Sequence, residues 1–560
     1  MGITGETTPV VPKFRRWLPQ VASALLVPVL LLGMVEAGLR ILGVGNDTSF
    51  TRPCTDHGAP GFCDNPFFPA AFFPPGMART PRPFVIPAAK PARTFRIVVL
   101  GESAAYGDPD PTYGFARYLE MMLRERFPEV NFEITNTGIT AINSHVLLPI
   151  AKELAQHQPD LFIIYAGNNE AIGPFGPGTV LTQSGMSLPA IRANIFFNST
   201  RLGQLLAKLR SEEKPQNWRG MEMFLEKQVP ADSPLIGQVY KNYASNLRDI
   251  VAVAHSSGAR VVVGTIATNL KDCAPFASSH RPRLNPEELR SWSVLFEQGQ
   301  ALENAKSYVE ALKVYRRAAD IDDQYAELAY RMARSLWNLG EYREAKEFFV
   351  RARDLDTLRF RADSRINDIN RSIASSSLGV ELVDAEELFS NESPNGVIGS
   401  ELVYEHVHPT PHGNYILARA LFAQVSSKLP SSLVGDAEPS GWEPPSEVDT
   451  ERLLAFTPFD RARVASLVLN KLDRPPFTNQ SNHPEQVLRM QAEAQGPVDS
   501  YDDTAAQYQW AIARNPQDRL LYLNYGFLVY MRDPVAATEQ FRRALPYDNA
   551  PVLCNWRKFN

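Results

Sequence analysis

The sequence predicts an α/β protein with a parallel sheet, interrupted by an inserted pair of helical repeats. Three observations carry that prediction. Short, β-branched apolar runs alternate with helix-period segments between residues 94 and 267. The alternation resumes over 364–429. Between the two blocks, aromatic and small residues recur at a fixed interval of thirty-four positions, a period that heptad helices would not show.

The chain opens on a targeting signal. Lys13, Arg15 and Arg16 precede an uncharged run, WLPQVASALLVPVLLLGMV, closed by Glu36 and Arg40. Nineteen residues at helical rise cover roughly 28 Å, about one hydrocarbon core. The basic flank predicts a cytoplasmic N-terminus over 1–16, a membrane anchor over 17–42 and export of everything after it. A cleaved signal peptide is the rival reading, since Val35-Glu36-Ala37 resembles a small-x-small site. The length of the run favours the anchor, and both readings export the chain.

Residues 43–93 read as a proline-rich linker. Cys54 and Cys63, nine apart within it, are a candidate disulfide in an exported protein. A zinc site would need more ligands than the neighbouring His57 supplies. Cys273 and Cys554 read as small buried hydrophobes.

From there the elements follow in order. Residues 94–100 (TFRIVVL) form a buried strand, 113–127 a helix, 131–136 an alternating strand and 144–157 a helix. Residues 160–166 (DLFIIYA) are a second continuous apolar strand, followed by a helix over 240–257 and a strand over 259–267. Then the repeat begins. Tyr308, Ala311, Tyr315 and Ala318 return as Tyr342, Ala345, Phe349 and Ala352, with Gly340 in the second turn. A helix over 364–377, a strand over 380–383 and a helix over 414–429 complete the α/β pattern. The α/β domain thus spans 94–285 and 363–430, with the helical pair inserted over 286–362. A second proline-rich linker covers 431–447. The region 448–560 is helical and carries a weaker copy of the repeat, Tyr508 and Ala511 against Phe541 and Ala544, with Tyr522 and Gly526 in the preceding helix.

Composition narrows the function classes. The 560 residues are 21% charged and 44% apolar, a globular balance. The net charge of −5 offers no basic excess, which argues against a nucleic-acid partner.

Chemistry concentrates in three segments. Gly101-Glu102-Ser103-Ala104-Ala105-Tyr106-Gly107 follows the first strand, Gly167-Asn168-Asn169-Glu170 follows the third, and Glu405-His406-Val407-His408-Pro409 precedes the last helix. With Gly138 in Asn136-Thr137-Gly138, these four blocks resemble the SGNH (GDSL-like) hydrolases. Gly167 to Gly176 look like a bacterial branch that carries tetratricopeptide repeats and one N-terminal membrane helix, and the thirty-four-residue unit itself resembles the tetratricopeptide repeat. The resemblance implies a flavodoxin-like three-layer sandwich. It also implies a catalytic triad of Ser103, His408 and Glu405, with an oxyanion hole from the Ser103 and Gly138 N–H groups and the Asn169 side chain. The roles make physical sense. A serine hydroxyl needs a neighbouring base, and that base needs an acid to hold its tautomer. Glycine at 138 lets backbone approach substrate closely. Glu102, Glu170 and Glu405 each stand where the family carries aspartate. Only Glu405 is a triad position, so the other two exchanges are discounted.

Each block has a plainer reading. Ser103 would otherwise be a turn residue or helix cap, Asn169 a turn asparagine and Glu405 a solvated carboxylate. His406 and His412 beside His408 raise a metal site, but no further acidic ligand is evident, so no metal and no cofactor are expected. Asn269 and Asp272, in the loop after the strand at 259–267, are expected to shape substrate access. Two functions compete. One is an esterase or deacylase acting on acylated glycans or lipids outside the membrane. The other is a membrane-anchored scaffold whose repeats bind a protein partner over a catalytically weak domain.

Overall fold

The computed structural model describes residues 14–56, 58–74, 76–210, 217–435 and 443–545. Its first element is a 28-residue helix, Phe14–Ile41. Eight large apolar side chains between Leu26 and Val35 are exposed on it. Glu36 ends the run by accepting from the Arg201 and Leu202 N–H groups at 3.1 and 3.0 Å, so it caps the helix Arg201–Arg210. Among the described residues no helix is long and apolar enough to cross a membrane. Residues 1–13, including Lys13, and the side chains of 14–22 lie outside the described residues.

The segment 43–93 is not a simple linker. It forms an antiparallel sheet of β1 (Thr51–Asp56), β2 (Ala59–Asp64) and β3 (Val85–Pro87), and Cys54 and Cys63 are joined across it. Proline content suggested open chain, but phenylalanine decides the outcome. Phe50, Phe68, Phe72 and Phe73 are all buried in the main core, and Phe50 meets Phe68 edge-on at 5.0 Å. Rings of this size each bury enough apolar area to offset the ordering of a loop.

The central sheet holds β4 (Thr94–Gly101), β5 (Asn131–Asn136), β6 (Leu161–Tyr165), β7 (Arg260–Gly264) and β8 (Val380–Val383). All neighbours are parallel, in the order β5-β4-β6-β7-β8. Every residue of β4 is buried, as expected of a strand covered on both faces. The helices Phe115–Arg126 and Pro411–Ser426 pack together, and Ser144–Leu154, Pro234–Ser256 and Ser364–Ser376 form a second group. This is the doubly wound order whose switch point lies between the first and third strands, here β4 and β6. Ser103 and Asn169 follow the C-terminal ends of those two strands.

Between β7 and β8 the chain leaves the sheet as four helices, Pro286–Asn304, Tyr308–Ile321, Ala326–Asn338 and Tyr342–Leu355. They enclose a core of their own around Tyr315, Tyr330 and Phe349. A side chain at Gly299 would fall 2.3 Å from the Tyr315 ring, and one at Gly526 the same 2.3 Å from Phe541. Glycine against an aromatic ring is therefore the shared packing device of the inserted and C-terminal repeats.

The C-terminal helices are no appendage. Asn524 donates to Thr112 Oγ1 and Tyr113 Oη at 3.0 and 2.8 Å, Arg117 pairs with Asp518, and Arg519 with Asp56 at 2.8 Å. The helices Glu447–Leu453, Pro458–Leu472 and His483–Ala494 carry this region back onto the α/β core. Part of the expected linker, 436–442, and Cys554 lie outside the described residues.

Candidate active site

Ser103 opens a one-turn helix, Ser103–Tyr106, where β4 ends. Its hydroxyl lies 2.9 Å from His408 Nε2. His408 Nδ1 is held by Glu405 Oε1, which assigns the ring proton to Nδ1 and leaves Nε2 to accept from the serine. Glu405 is fully buried, and the loop wraps its second oxygen. Oε2 accepts from the His406 N–H at 2.6 Å, the Val407 N–H at 3.3 Å and His406 Nδ1 at 3.0 Å. Burial raises the carboxyl, but the two facing imidazoles and their hydrogen bonds outweigh it and hold Glu405 well below the usual range. The extra methylene of glutamate is thus accommodated by the turn at 405–408.

The residues expected to form the oxyanion hole are held by different contacts. A side chain at Gly138 would stand 2.4 Å from the Tyr106 nitrogen, so only glycine fits against the serine's helix. The Gly138 N–H already donates to Asn136 Oδ1 at 2.9 Å, while Asn136 Nδ2 donates to the Ala105 carbonyl at 2.7 Å. Asn136 therefore ties the end of β5 to the serine's helix. Asn169 is buried, and its N–H is held by Glu102 Oε2 at 3.2 Å.

Glu102 and Glu170, discounted in the sequence, prove to be organisers of this ground. Glu102 is buried and accepts from the Gly167, Asn168 and Asn169 N–H groups at 3.2, 2.8 and 3.2 Å. It fixes the loop after β6 against the serine's strand. Glu170 accepts from the Ser144 N–H and hydroxyl at 2.7 and 2.8 Å. Nothing in the sequence marked these contacts, because both partners are backbone or serine groups brought close only by the sheet.

Burial pushes the Glu170 carboxyl up to about 7 against its bonds from Ser144. Burial, with the nearby Glu170 charge, pushes Glu102 the same way. A raised folded-state carboxyl binds its proton more tightly than the unfolded chain does. The stability it lends is present below the unfolded value of about 4.3 and is lost as pH rises through about 7. The free energy of unfolding should therefore fall between pH 5 and 8, by about 3 kcal/mol from Glu170 alone. Glu170→Gln should flatten that decline; an equally steep decline in the variant would contradict the assignment.

Asp108 and Lys471 join the site without any sequence signal. Asp108 Oδ2 lies 3.5 Å from His408 Nε2 and 2.6 Å from Lys471 Nζ, which reaches in from the helix Pro458–Leu472.

Asn269 does not face an open mouth. It is fully buried, donating from its N–H to the His406 carbonyl at 3.0 Å and from Nδ2 to the Val403 carbonyl at 3.1 Å. It clamps the histidine loop from behind. Asp272 is more open. It accepts from the Ser400 N–H at 2.8 Å and lines a cavity of about 320 Å³ with Lys271, Tyr330, Trp337 and Asn482.

The acidic ligand missing from the sequence reading of a metal site is Glu405. Glu405, His406 and His408 each place one ligand atom within 4.8 Å of the others. Their atoms are already bonded to one another through the shared carboxylate. His412 stands apart, bonded to Glu447 at 2.8 Å.

A family model described as tetratricopeptide repeat matches residues 304–361. No curated protein matches the chain. Among solved structures, the chain is similar to a GDSL-like lipase from Bacteroides thetaiotaomicron, at 10% identity and a TM-score of 0.26, covering 61% of this chain and 93% of that one. It is similar to a catalytic mutant of an acetylxylan esterase from Geobacillus stearothermophilus, at 13% identity and a TM-score of 0.27, covering 59% and 94%. A mutant of an acetyl-xylooligosaccharide esterase from the same organism gives 14% identity and a TM-score of 0.27, covering 63% and 97%.

Proposed function

We propose that this chain is a serine-dependent ester hydrolase of SGNH type. The observation that carries the reading is the unbroken hydrogen-bond chain from Ser103 through His408 to Glu405. Ser103 Oγ attacks the ester carbonyl carbon while its proton passes to His408 Nε2. Glu405 stabilises the imidazolium that forms. The carbonyl oxygen becomes an oxyanion served by the Ser103 N–H and the Asn169 side chain. The Gly138 N–H serves it as well by leaving Asn136 Oδ1. Collapse breaks the ester bond, His408 returns the proton to the departing alcohol, and water then releases the acyl group by the same steps reversed.

The setting is part of the proposal. The uncharged run from Trp17 to Val35 behind Lys13, Arg15 and Arg16 supports a single membrane anchor with the bulk of the chain outside the cytoplasm, where it would act on acylated glycans or lipids of the envelope. The inserted repeat offers a surface for a protein partner. Protease added to spheroplasts should degrade the large domain, and full protection would contradict this topology.

The test of the chemistry is hydrolysis of p-nitrophenyl acetate by the full chain in detergent, with and without a chelating agent. Hydrolysis that survives chelation is the expected result. Loss on chelation, restored by added zinc, would transfer Glu405, His406 and His408 to a metal site.

A further inference from the structure

Two arginines of the segment before β4, Arg79 and Arg82, have no carboxylate partner among the described residues. The acids in this quarter are already taken. Asp108 pairs with Lys471 at 2.6 Å, Asp110 with Arg463 at 2.6 Å, and Asp518 with Arg117. Arg79 donates from Nε to Thr140 Oγ1 at 2.8 Å and lies over the Trp218 ring at 4.9 Å. Arg82 Nη1 is shielded from solvent and has no hydrogen-bond partner. Neither arginine forms an ion pair among the described residues.

Arg79 is tied to the loop that carries Gly138, and Gly138 packs against the serine's helix. Thr140 follows Gly138 by two residues, and Tyr106 ends the serine's helix. The groups acting on Arg79 are Asp108 and Tyr106, and Tyr106 acts on Arg82 also, with Asp110, Arg117 and Asp518 beyond it. Burial pulls both guanidinium groups below the usual arginine range. Arg117 and Arg463 behave oppositely, because neighbouring carboxylates outweigh burial and push them up. Arg79, Arg82, Ser103 and Tyr106 are each half-buried, with part of the residue open to solvent.

An uncompensated guanidinium withdrawn from water costs stability. Two of them, sharing Tyr106 of the serine's helix as a neighbour, make sense where a ligand brings the missing charge. The planar fork of arginine suits the paired oxygens of a carboxylate or phosphate.

We propose that Arg79 and Arg82 form an anion subsite beside Ser103, which selects ester substrates bearing a carboxylate or phosphate. This deepens the esterase reading and rests on it. The segment 43–93 thereby supplies specificity to a site whose nucleophile and base come from the α/β domain.

The test compares three acetyl esters on the full chain: 4-acetoxybenzamide, which is neutral, 4-acetoxybenzoate and 4-acetoxyphenyl phosphate. The parent should prefer at least one anionic ester over the neutral one by about tenfold in kcat/KM, mainly through KM. Whichever anion wins identifies the source. Arg79→Gln and Arg82→Gln should each collapse that ratio toward one, and Arg82→Lys should keep part of it. Ser103-dependent hydrolysis with no preference between charged and neutral esters would overturn the subsite while leaving the esterase reading intact. Should no ester be hydrolysed, calorimetry of 4-hydroxybenzoate and phenyl phosphate decides. Binding to the parent that is lost in folded Arg82→Gln sustains the subsite, and absent or unchanged binding overturns it.

Discussion

Ser103→Ala should lower ester hydrolysis on the order of 10⁴-fold or more, and His408→Ala should do the same. Each removes a member of a unit that works only when complete. Without Oγ there is no atom to form the acyl intermediate. Without the imidazole, whose Nε2 lies 2.9 Å from Ser103 Oγ, the serine proton has no acceptor. The double variant should be hardly worse than either single one, because the residual rate then comes from binding and oxyanion contacts alone. The measurement is p-nitrophenyl acetate hydrolysis, with folding checked by circular dichroism. A folded Ser103→Ala that matches the parent would exclude Ser103 as nucleophile, and multiplicative losses would exclude a shared unit.

Glu405→Ala should cost about two to three orders of magnitude, less than the first pair. The carboxylate holds His408 Nδ1, so its loss frees the ring to adopt the wrong tautomer part of the time. It also strips partners from His406 and from two backbone N–H groups in a fully buried turn. Leaving such groups unpaired costs about 1–3 kcal/mol each, so stability should fall together with rate. Glu405→Asp keeps the charge and loses reach, and should retain more activity than Glu405→Ala. Equal activity of the two variants would show that reach, not charge, is what the site requires.

The parallel sheet was legible because its central strands are short runs whose burial shows as unbroken apolar character, as in Ile97–Leu100. The repeat was legible because its period survives in four paired positions. The hydrogen-bonded grouping of Ser103, His408 and Glu405 was legible through short blocks at strand ends and before the last helix. What sequence hid was long-range and charge-based. Lys471 reaches Asp108 across 363 positions, and no local pattern can announce such a pair. Glu102 and Glu170 looked like neutral exchanges because their partners are backbone and serine groups. Proline density in 43–93 concealed a folded segment, since proline argues against regular elements but says nothing about phenylalanines that bury without them. Asn269 sat where a substrate loop was expected, yet its side chain is spent on the histidine loop.

The central claim is that Ser103 is a nucleophile activated by His408. Its most direct test is covalent labelling of the full chain with a fluorophosphonate, followed by peptide mass spectrometry. The account predicts one adduct, on the peptide containing Ser103, with labelling much slowed in His408→Ala. A parent that hydrolyses p-nitrophenyl acetate while Ser103 stays unlabelled, or a label on another serine, would contradict it.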